Sequence, residues 1–424
     1  MTAGAVSEAP AECDVAVVGA GIVGLAAARE LAMRDRGRSV VVFEREAAIA
    51  RHQTGHSSGV VHSGVYYRPG SLKAELCVAG AQELYEYCAR HGLPAERTGK
   101  LIVATHDDDL RRLDELERRG LENGVPGLRR IEADEIARIE PHAAGIAALH
   151  SPSTGVVDFG RIAASLADNL VEQGGTVLTG RAVEAIEGGA GEATVRHSGG
   201  APSGRLRDGR IGRPARTRAG AVVVCAGAWS DRLAVAAGAP AGPRIVPFRG
   251  AYLRLRPERA DLVRAQIFAV PDPELPFLGA HLTRTLGGEV LLGPSALLVG
   301  ARDAYRLARL SGRDLRDTLA WPGTWRLIGR HWRAGLGEIA HAASRRSFVA
   351  SARHLVPALR AADFIAGPAG VRAQALARDG SLVDDFVVSR TERCLFVRNA
   401  PSPAATSALP LARLIADEAE PLLC

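Results

Sequence analysis

The stretch Asp14–Glu46, "DVAVVGAGIVGLAAARELAMRDRGRSVVVFERE", decides the fold. Residues 14–19 are a short apolar, β-branched run ending at glycine, the pattern of a buried parallel strand. An alanine-rich helical segment follows, and "SVVVFERE" supplies a second strand, so the chain opens on a β–α–β unit. Gly19, Gly21 and Gly24 form G-x-G-x-x-G where strand turns into helix. The first glycine permits the tight turn and the second lets backbone approach a pyrophosphate. The third lets helix and strand pack closely, and the helix N-terminus attracts the phosphate charge. Glu44 lies twenty residues after Gly24, at the end of the second strand. A carboxylate there accepts hydrogen bonds from the adenosine ribose hydroxyls, which disfavours NADP. The stretch reads as a dinucleotide site, with FAD and NAD both open at this point.

Beyond it the pattern predicts helices around 80–91 and 106–123 and another from a cap at Asp158 to about Glu172. "GGTVLTG" follows as a strand, and "AGAVVVCAGAWSD" (Ala219 to Asp231) is a second buried strand running into a glycine turn. Spaced short strands such as "GAYLRLRP" and "GEVLLGP" occupy the region after Arg244, and 300–355 reads as helical and arginine-rich. The chain returns to a buried strand, "RCLFVRNA", and a last helix, "SALPLARLIADEAEPLL". The expected fold class is α/β (α+β overall). A Rossmann-like FAD-binding domain at 10–80, 150–235 and 355–424 is interleaved with a β-sheet-plus-helices substrate domain at 81–149 and 236–354. The strand–loop–helix at the C-terminus, Val183 after "TVLTG" and the turn at Ala226 and Gly227 suit an extended FAD better than NAD.

Composition narrows the class further. With 47% hydrophobic residues in 424, the chain is long enough for two packed domains. No run reaches the roughly 18 apolar residues that would span a bilayer. "MTAGAVSEAP" has neither the charged nor the apolar region of a signal peptide, so a cytoplasmic location is expected. Six scattered cysteines without C-x-x-C spacing predict buried thiols and no metal centre. The net charge of +6 is spread out and aromatics make up only 4%, which speaks against nucleic acid. The one dense basic run, "GRLRDGRIGRPARTR" (Gly204 to Arg218), reads as a solvated hairpin tip.

Seven further segments carry a resemblance. They are "HQTGHSSGVVHSGVYYRPGSLKAELC", "TGKLIVA", "TGVVDFGR", "RIVPFRGAYLRL", "PFLGAHLTR", "GPAGVRAQALARDGSLVDDF" and "NAPSPAATSA". With the N-terminal turn they resemble the FAD-dependent D-amino-acid oxidase-like superfamily, and within it the L-2-hydroxyglutarate dehydrogenases and oxidases. The resemblance covers nearly the whole chain and weakens at 300–355. There "VGARDAYR" stands where relatives tend to carry a lysine and a glutamate before the tyrosine, which puts that pair's role in doubt. It implies non-covalent FAD and oxidation of L-2-hydroxyglutarate to 2-oxoglutarate by hydride transfer from C2 to flavin N5. Electrons would pass on to a quinone or oxygen. A related enzyme for another small 2-hydroxy acid such as malate, or for an amino acid of the glycine or sarcosine type, is the alternative.

That chemistry needs a neutral base, cations for two carboxylates and contacts to the flavin. Histidine suits the base because its ordinary pKa is about 6.5. His56 and His62 lie in the segment that, in the superfamily, runs beneath the flavin. His281, on the substrate side, is the favoured base and His62 the second. Arginine forms bidentate pairs with carboxylates, and Arg372 matches an arginine of the superfamily's late "GLRP"-like segment. Arg249, Tyr252, Arg284, Tyr66 and Lys100 complete the expected substrate contacts. Cofactor contacts are expected at Gly19, Gly21, Gly24, Glu44, Arg45, Thr54, His56, Ser57, Ser58, Val183, Ala226, Gly227, Arg372, Asn399, Pro401, Ala404 and Thr406. Thr406 or Ser407 would cap the last helix, with its positive end toward the flavin.

One motif stands apart. In "WPGTWRLIGRHW", Trp321, Trp325, Ile328 and Trp332 recur at helical spacing beside Arg326, Arg330 and Arg333. The spacing suits core packing, the favoured reading, or peripheral contact with a membrane.

Overall fold

The computed structural model describes residues 8–189, 191–199, 215–272 and 279–423. Most of the 204–218 run lies outside the described residues, with residues 215–218 opening a strand, and so do residues 276–278 of "PFLGAHLTR". The chain divides into two compact units. One comprises Met1–Gly55, Phe159–Ile245 and Val383–Cys424, the other His56–Asp158 and Val246–Leu382. Residues 56–80, 150–158 and 355–382 therefore pack with the second unit, where the sequence had placed them with the dinucleotide-binding strands. Backbone pairing is the reason: strand Val60–Val61 is antiparallel to Gly155–Val157, and Phe364–Leu376 pairs with Arg244–Leu255.

The first unit is built on an eight-stranded sheet. Five of its strands run parallel, in the order Thr176–Leu178, Val40–Phe43, Glu12–Val18, Ala215–Val224 and Cys394–Asn399. Val40–Phe43 is buried throughout, as a parallel strand covered on both faces must be. Helix Ile22–Arg34 packs on helices Phe159–Glu172 and Ala408–Ala419, with Ala26, Ala27 and Ala28 buried and allowing close approach. The last helix begins at Ala408, and Ser407 at its N-cap makes no side-chain capping bond. Of the two hydroxyls expected to cap it, that of Ser407 is instead buried without a partner among the described residues.

The second unit carries a nine-stranded, mostly antiparallel sheet. At its centre Lys100–Ala104 lies parallel to Gln266–Ala269, which is antiparallel to His281–Arg284. Leu101, Val103, Ile267, Leu282 and Leu292 point into one continuous core with Val349, Leu355 and Phe364. Because side chains alternate across a strand, the residues between them line the other face, where the polar groups gather. Helix Leu72–Arg90 starts earlier than expected, because the Ser71 hydroxyl accepts the Ala74 N–H. The 300–355 region holds helices Gly312–Ala320, Pro322–Ala343 and Arg345–Ala350.

Candidate active site

The dinucleotide turn in the first unit leaves no room for side chains. Gly19 has φ +106°, and a Cβ there would lie 2.5 Å from the Cys225 carbonyl oxygen. A Cβ on Gly24 would overlap the Gly19 carbonyl, whereas one on Gly21 would stand 3.3 Å from Thr54 Oγ1. Gly19 and Gly24 thus close the turn and Gly21 remains its approachable face. Glu44, buried, accepts the Ala20 N–H at 2.8 Å with one oxygen and the Glu46 N–H at 2.9 Å with the other. These bonds orient the carboxylate and leave lone pairs for ribose hydroxyls. This cradle fits the adenosine and pyrophosphate of a dinucleotide.

Other expected cofactor residues take structural work as well. Thr54 Oγ1 accepts the Ile22 N–H at 3.0 Å, capping the first helix from a distance in sequence. The Arg45 guanidinium lies 3.6 Å over the Trp229 ring and donates to Glu46 at 2.8 Å. Gly227, at φ +51°, begins the turn after Ala226, and a Cβ on it would meet Gln53. Val183 opens the strand that pairs with Ala193–His197. The Asn399 amide donates to the Val383 and Asp385 carbonyls, and Ala404 N–H closes on Pro401 O ahead of buried Thr406.

In the second unit the sheet register assembles a polar face. Lys100 aligns with Gln266 and Gln266 with Thr283, so these three share one row. Ser151, paired with Lys100 from the other side, extends it. One step along, Phe268 and His281 stack at 3.8 Å between ring centroids. His281 is paired with Gly293, where a Cβ would collide with the Tyr252 ring. Tyr252 therefore packs over the missing side chain. Lys100 Nζ sits 4.6 Å from the Tyr66 ring and 5.0 Å from the Phe268 ring, and among the described residues no carboxylate pairs with it.

Burial and cationic neighbours set the protonation states. Desolvation, then the charges of Lys100, His281 and Lys73, push His62 down to about 3. Desolvation does the same to His281, with Arg372 and Lys100 adding to it, again to about 3. His281 Nδ1 lies 3.0 Å from the Gly279 carbonyl, which can only accept. The proton of the neutral ring is therefore on Nδ1, and Nε2 carries the lone pair. Desolvation lowers Lys100 to about 8 and also lowers Arg372, whose charge Tyr252 and Glu338 support. Tyr66 is raised by burial, and its hydroxyl has no partner among the described residues. Tyr252, raised by burial, feels Arg372 and bonds to Ser58.

His281, His62, Lys100, Tyr66, Tyr252, Ser58 and Arg372 are thus brought together. One expected residue, Arg284, stands apart from them. Arg284 donates to the Val263 carbonyl at 3.2 Å, since a residue three positions from His281 on a strand faces the other way. Arg249 donates to the Tyr305 carbonyl, Tyr305 stacks on His56 at 3.8 Å, and His56 Nδ1 donates to the Ala369 carbonyl. Ser57, its neighbour, is exposed. Gln266, Thr283, Phe268 and Lys73 were missed. The signal for the first three was the alternation Gln266/Phe268 and His281/Thr283, legible only once both segments are known to share a face.

Residues 14–418 match the family described as FAD dependent oxidoreductase, and the chain belongs to that family. FAD is accordingly its dinucleotide. Within the family it belongs with the L-2-hydroxyglutarate dehydrogenases. It is 44% identical over 425 residues to "L-2-hydroxyglutarate dehydrogenase, mitochondrial" of Homo sapiens, covering 99% of this chain and 91% of that protein. The Bos taurus protein of the same name is 44% identical over 419 residues, covering 96% and 88%. The solved structure of dithionite-reduced L-α-glycerophosphate oxidase from Mycoplasma pneumoniae, with FAD bound, has the same fold. Its TM-score is 0.75 at 21% identity, covering 97% of this chain and 94% of that one. The names of the two mammalian relatives carry the word mitochondrial, which overturns the expectation of a cytoplasmic location.

Proposed function

We propose that this protein oxidises L-2-hydroxyglutarate to 2-oxoglutarate with non-covalently held FAD. When bound, FAD supplies the acceptor for the two electrons and the C2 hydrogen. The observation that carries the reading is Lys100, a buried cation that no carboxylate neutralises among the described residues, on the same sheet face as His281. A site of this kind gains an anionic ligand at low cost, because the protein has already desolvated the cation. Lys100 and Arg372 take the two carboxylates, and the Tyr66 hydroxyl donates to an oxygen of the substrate. His281 Nε2 accepts the C2 hydroxyl proton as the carbonyl forms. His281 is kept neutral for this by burial and by cationic neighbours. Gly19, Gly21, Gly24 and Glu44 hold the dinucleotide. A quinone or oxygen takes the electrons onward, and peripheral contact with a membrane brings a quinone within reach.

Anaerobic mixing with a panel of acids tests the assignment. L-2-Hydroxyglutarate should bleach the visible flavin band, while D-2-hydroxyglutarate, L-malate, glycine and sarcosine should not. Bleaching by glycine or sarcosine instead would move the protein to the amine-oxidising branch of its family.

A further inference from the structure

The exposed apolar residues are not scattered. Among the described residues thirteen large hydrophobics are exposed, and nine of them fall between Leu307 and Ile339. On helix Pro322–Ala343 the exposed set is Trp325, Ile328, Trp332, Leu336 and Ile339, at steps of three and four residues. The helix kinks at His331, where φ is −119° and ψ 26°, so Trp325 and Ile328 lie on the first segment and Trp332, Leu336 and Ile339 on the second. Within each segment that spacing puts the residues on one face. Trp325, Trp332, Leu336 and Ile339 are each more than half exposed. Trp321 and Leu327 are the residues that anchor the helix in a small core with Val246, Phe248 and Leu376. The expectation that the stripe is core packing is therefore corrected: the core takes Trp321, and Trp325, Ile328 and Trp332 face outward. A contiguous apolar surface on this scale marks a docking site.

The charges around it select the occupant. Residues 306–346 carry nine arginines against three carboxylates. Those three acids are already engaged within the protein. Asp314 accepts the Arg302 N–H, Asp317 lies 3.9 Å from Arg316, and Glu338 accepts the Ala296 N–H. Arg330, Arg333, Arg313 and Arg316 are exposed beside the apolar residues. Two copies of this face would oppose arginine with arginine, so self-association is disfavoured. Anionic lipid headgroups complement the arginines, while the indoles and aliphatic side chains enter the acyl boundary. No helix among the described residues is long and apolar enough to cross a membrane.

We infer that the face formed by helix Gly312–Ala320 and the stripe Trp325–Ile339 docks the protein peripherally on an anionic bilayer. The inference gives a location to the membrane contact proposed above, and its test reads binding without turnover. The FAD-loaded full chain is floated with phosphatidylcholine vesicles and with vesicles that also contain phosphatidylglycerol. Co-flotation with the anionic vesicles, at least tenfold above the neutral ones, is expected. The double variant W325E/W332E should lose at least tenfold of that binding. Its flavin content and turnover with a soluble dye should stay unchanged, since neither indole is in the candidate active site. Failure of the parent protein to float, or undiminished flotation of the variant, would overturn the inference. So would a dimer in light scattering that W325E/W332E dissociates, which would assign the face to a second copy of the chain.

Discussion

Substituting Lys100 by methionine should make the protein more stable and a worse enzyme. Lys100 is 1% exposed, and burial lowers its ammonium from the ordinary 10.5 to about 8. At about 1.36 kcal/mol per pH unit, keeping the group charged at neutral pH costs the folded state about 3 kcal/mol. Methionine is unbranched and polarizable, carries no charge, and leaves the Tyr66 and Phe268 rings an apolar neighbour. Lys100→Met should therefore gain up to about 3 kcal/mol at pH 7, a rise of a few degrees in Tm. The sign carries a second test. The folded-state pKa is depressed, so the penalty is fully present below pH 8 and gone above 10.5. The stability gap between variant and parent should close over that window. Function should move the opposite way. A lost charge-assisted hydrogen bond is worth about 1.5–3 kcal/mol, which raises KM for L-2-hydroxyglutarate roughly ten- to a hundredfold. kcat should change less if ground state and transition state lose the contact equally. Thermal melts from pH 7 to 10.5 and steady-state kinetics with a soluble acceptor measure both halves. A variant less stable than the parent at pH 7, or one whose KM stays within twofold, would refute the reasoning.

Three further outcomes are expected. His281→Gln should lower kcat/KM by roughly 10²–10⁴-fold while the bound flavin spectrum is retained; near-normal flavin reduction would remove His281 as the base. Because His281 and His62 are held at about 3, kcat/KM should stay level from pH 7 to 5 and fall above about 8 as Lys100 deprotonates. An inflection near the ordinary histidine value of about 6.5 would contradict that. Between 6.5 and 3 only the unfolded chain takes up these two protons, so stability should decline as pH falls through that range. Gly24→Ala drives a Cβ into the Gly19 carbonyl and should yield apoprotein of lowered Tm. Gly21→Ala, 3.3 Å from a movable hydroxyl, should fold and bind FAD more weakly. Equal flavin content in the two alanine variants would show that the turn is not the cradle.

The opening β–α–β unit was legible in the sequence because its constraints are local. The three glycines and Glu44 act within 26 residues, and steric exclusion at Gly19 and Gly24 holds whatever surrounds the turn. His281, Arg372 and Lys100 were legible as candidates, through chemistry and resemblance. What they share a face with was not. Lys100, Gln266 and Thr283 come together through strand register between segments more than 160 residues apart in the chain. Side-chain alternation from that register also turns Arg284 away from His281. The unit boundaries depended likewise on which strands pair, as Val60–Val61 does with Gly155–Val157. The tryptophan stripe makes the division plainest. Helical periodicity placed Trp325, Ile328 and Trp332 on one side of a helix, since that follows from 3.6 residues per turn. Whether that side meets core or solvent depends on whether another element lies against it, and here none of those three side chains is buried.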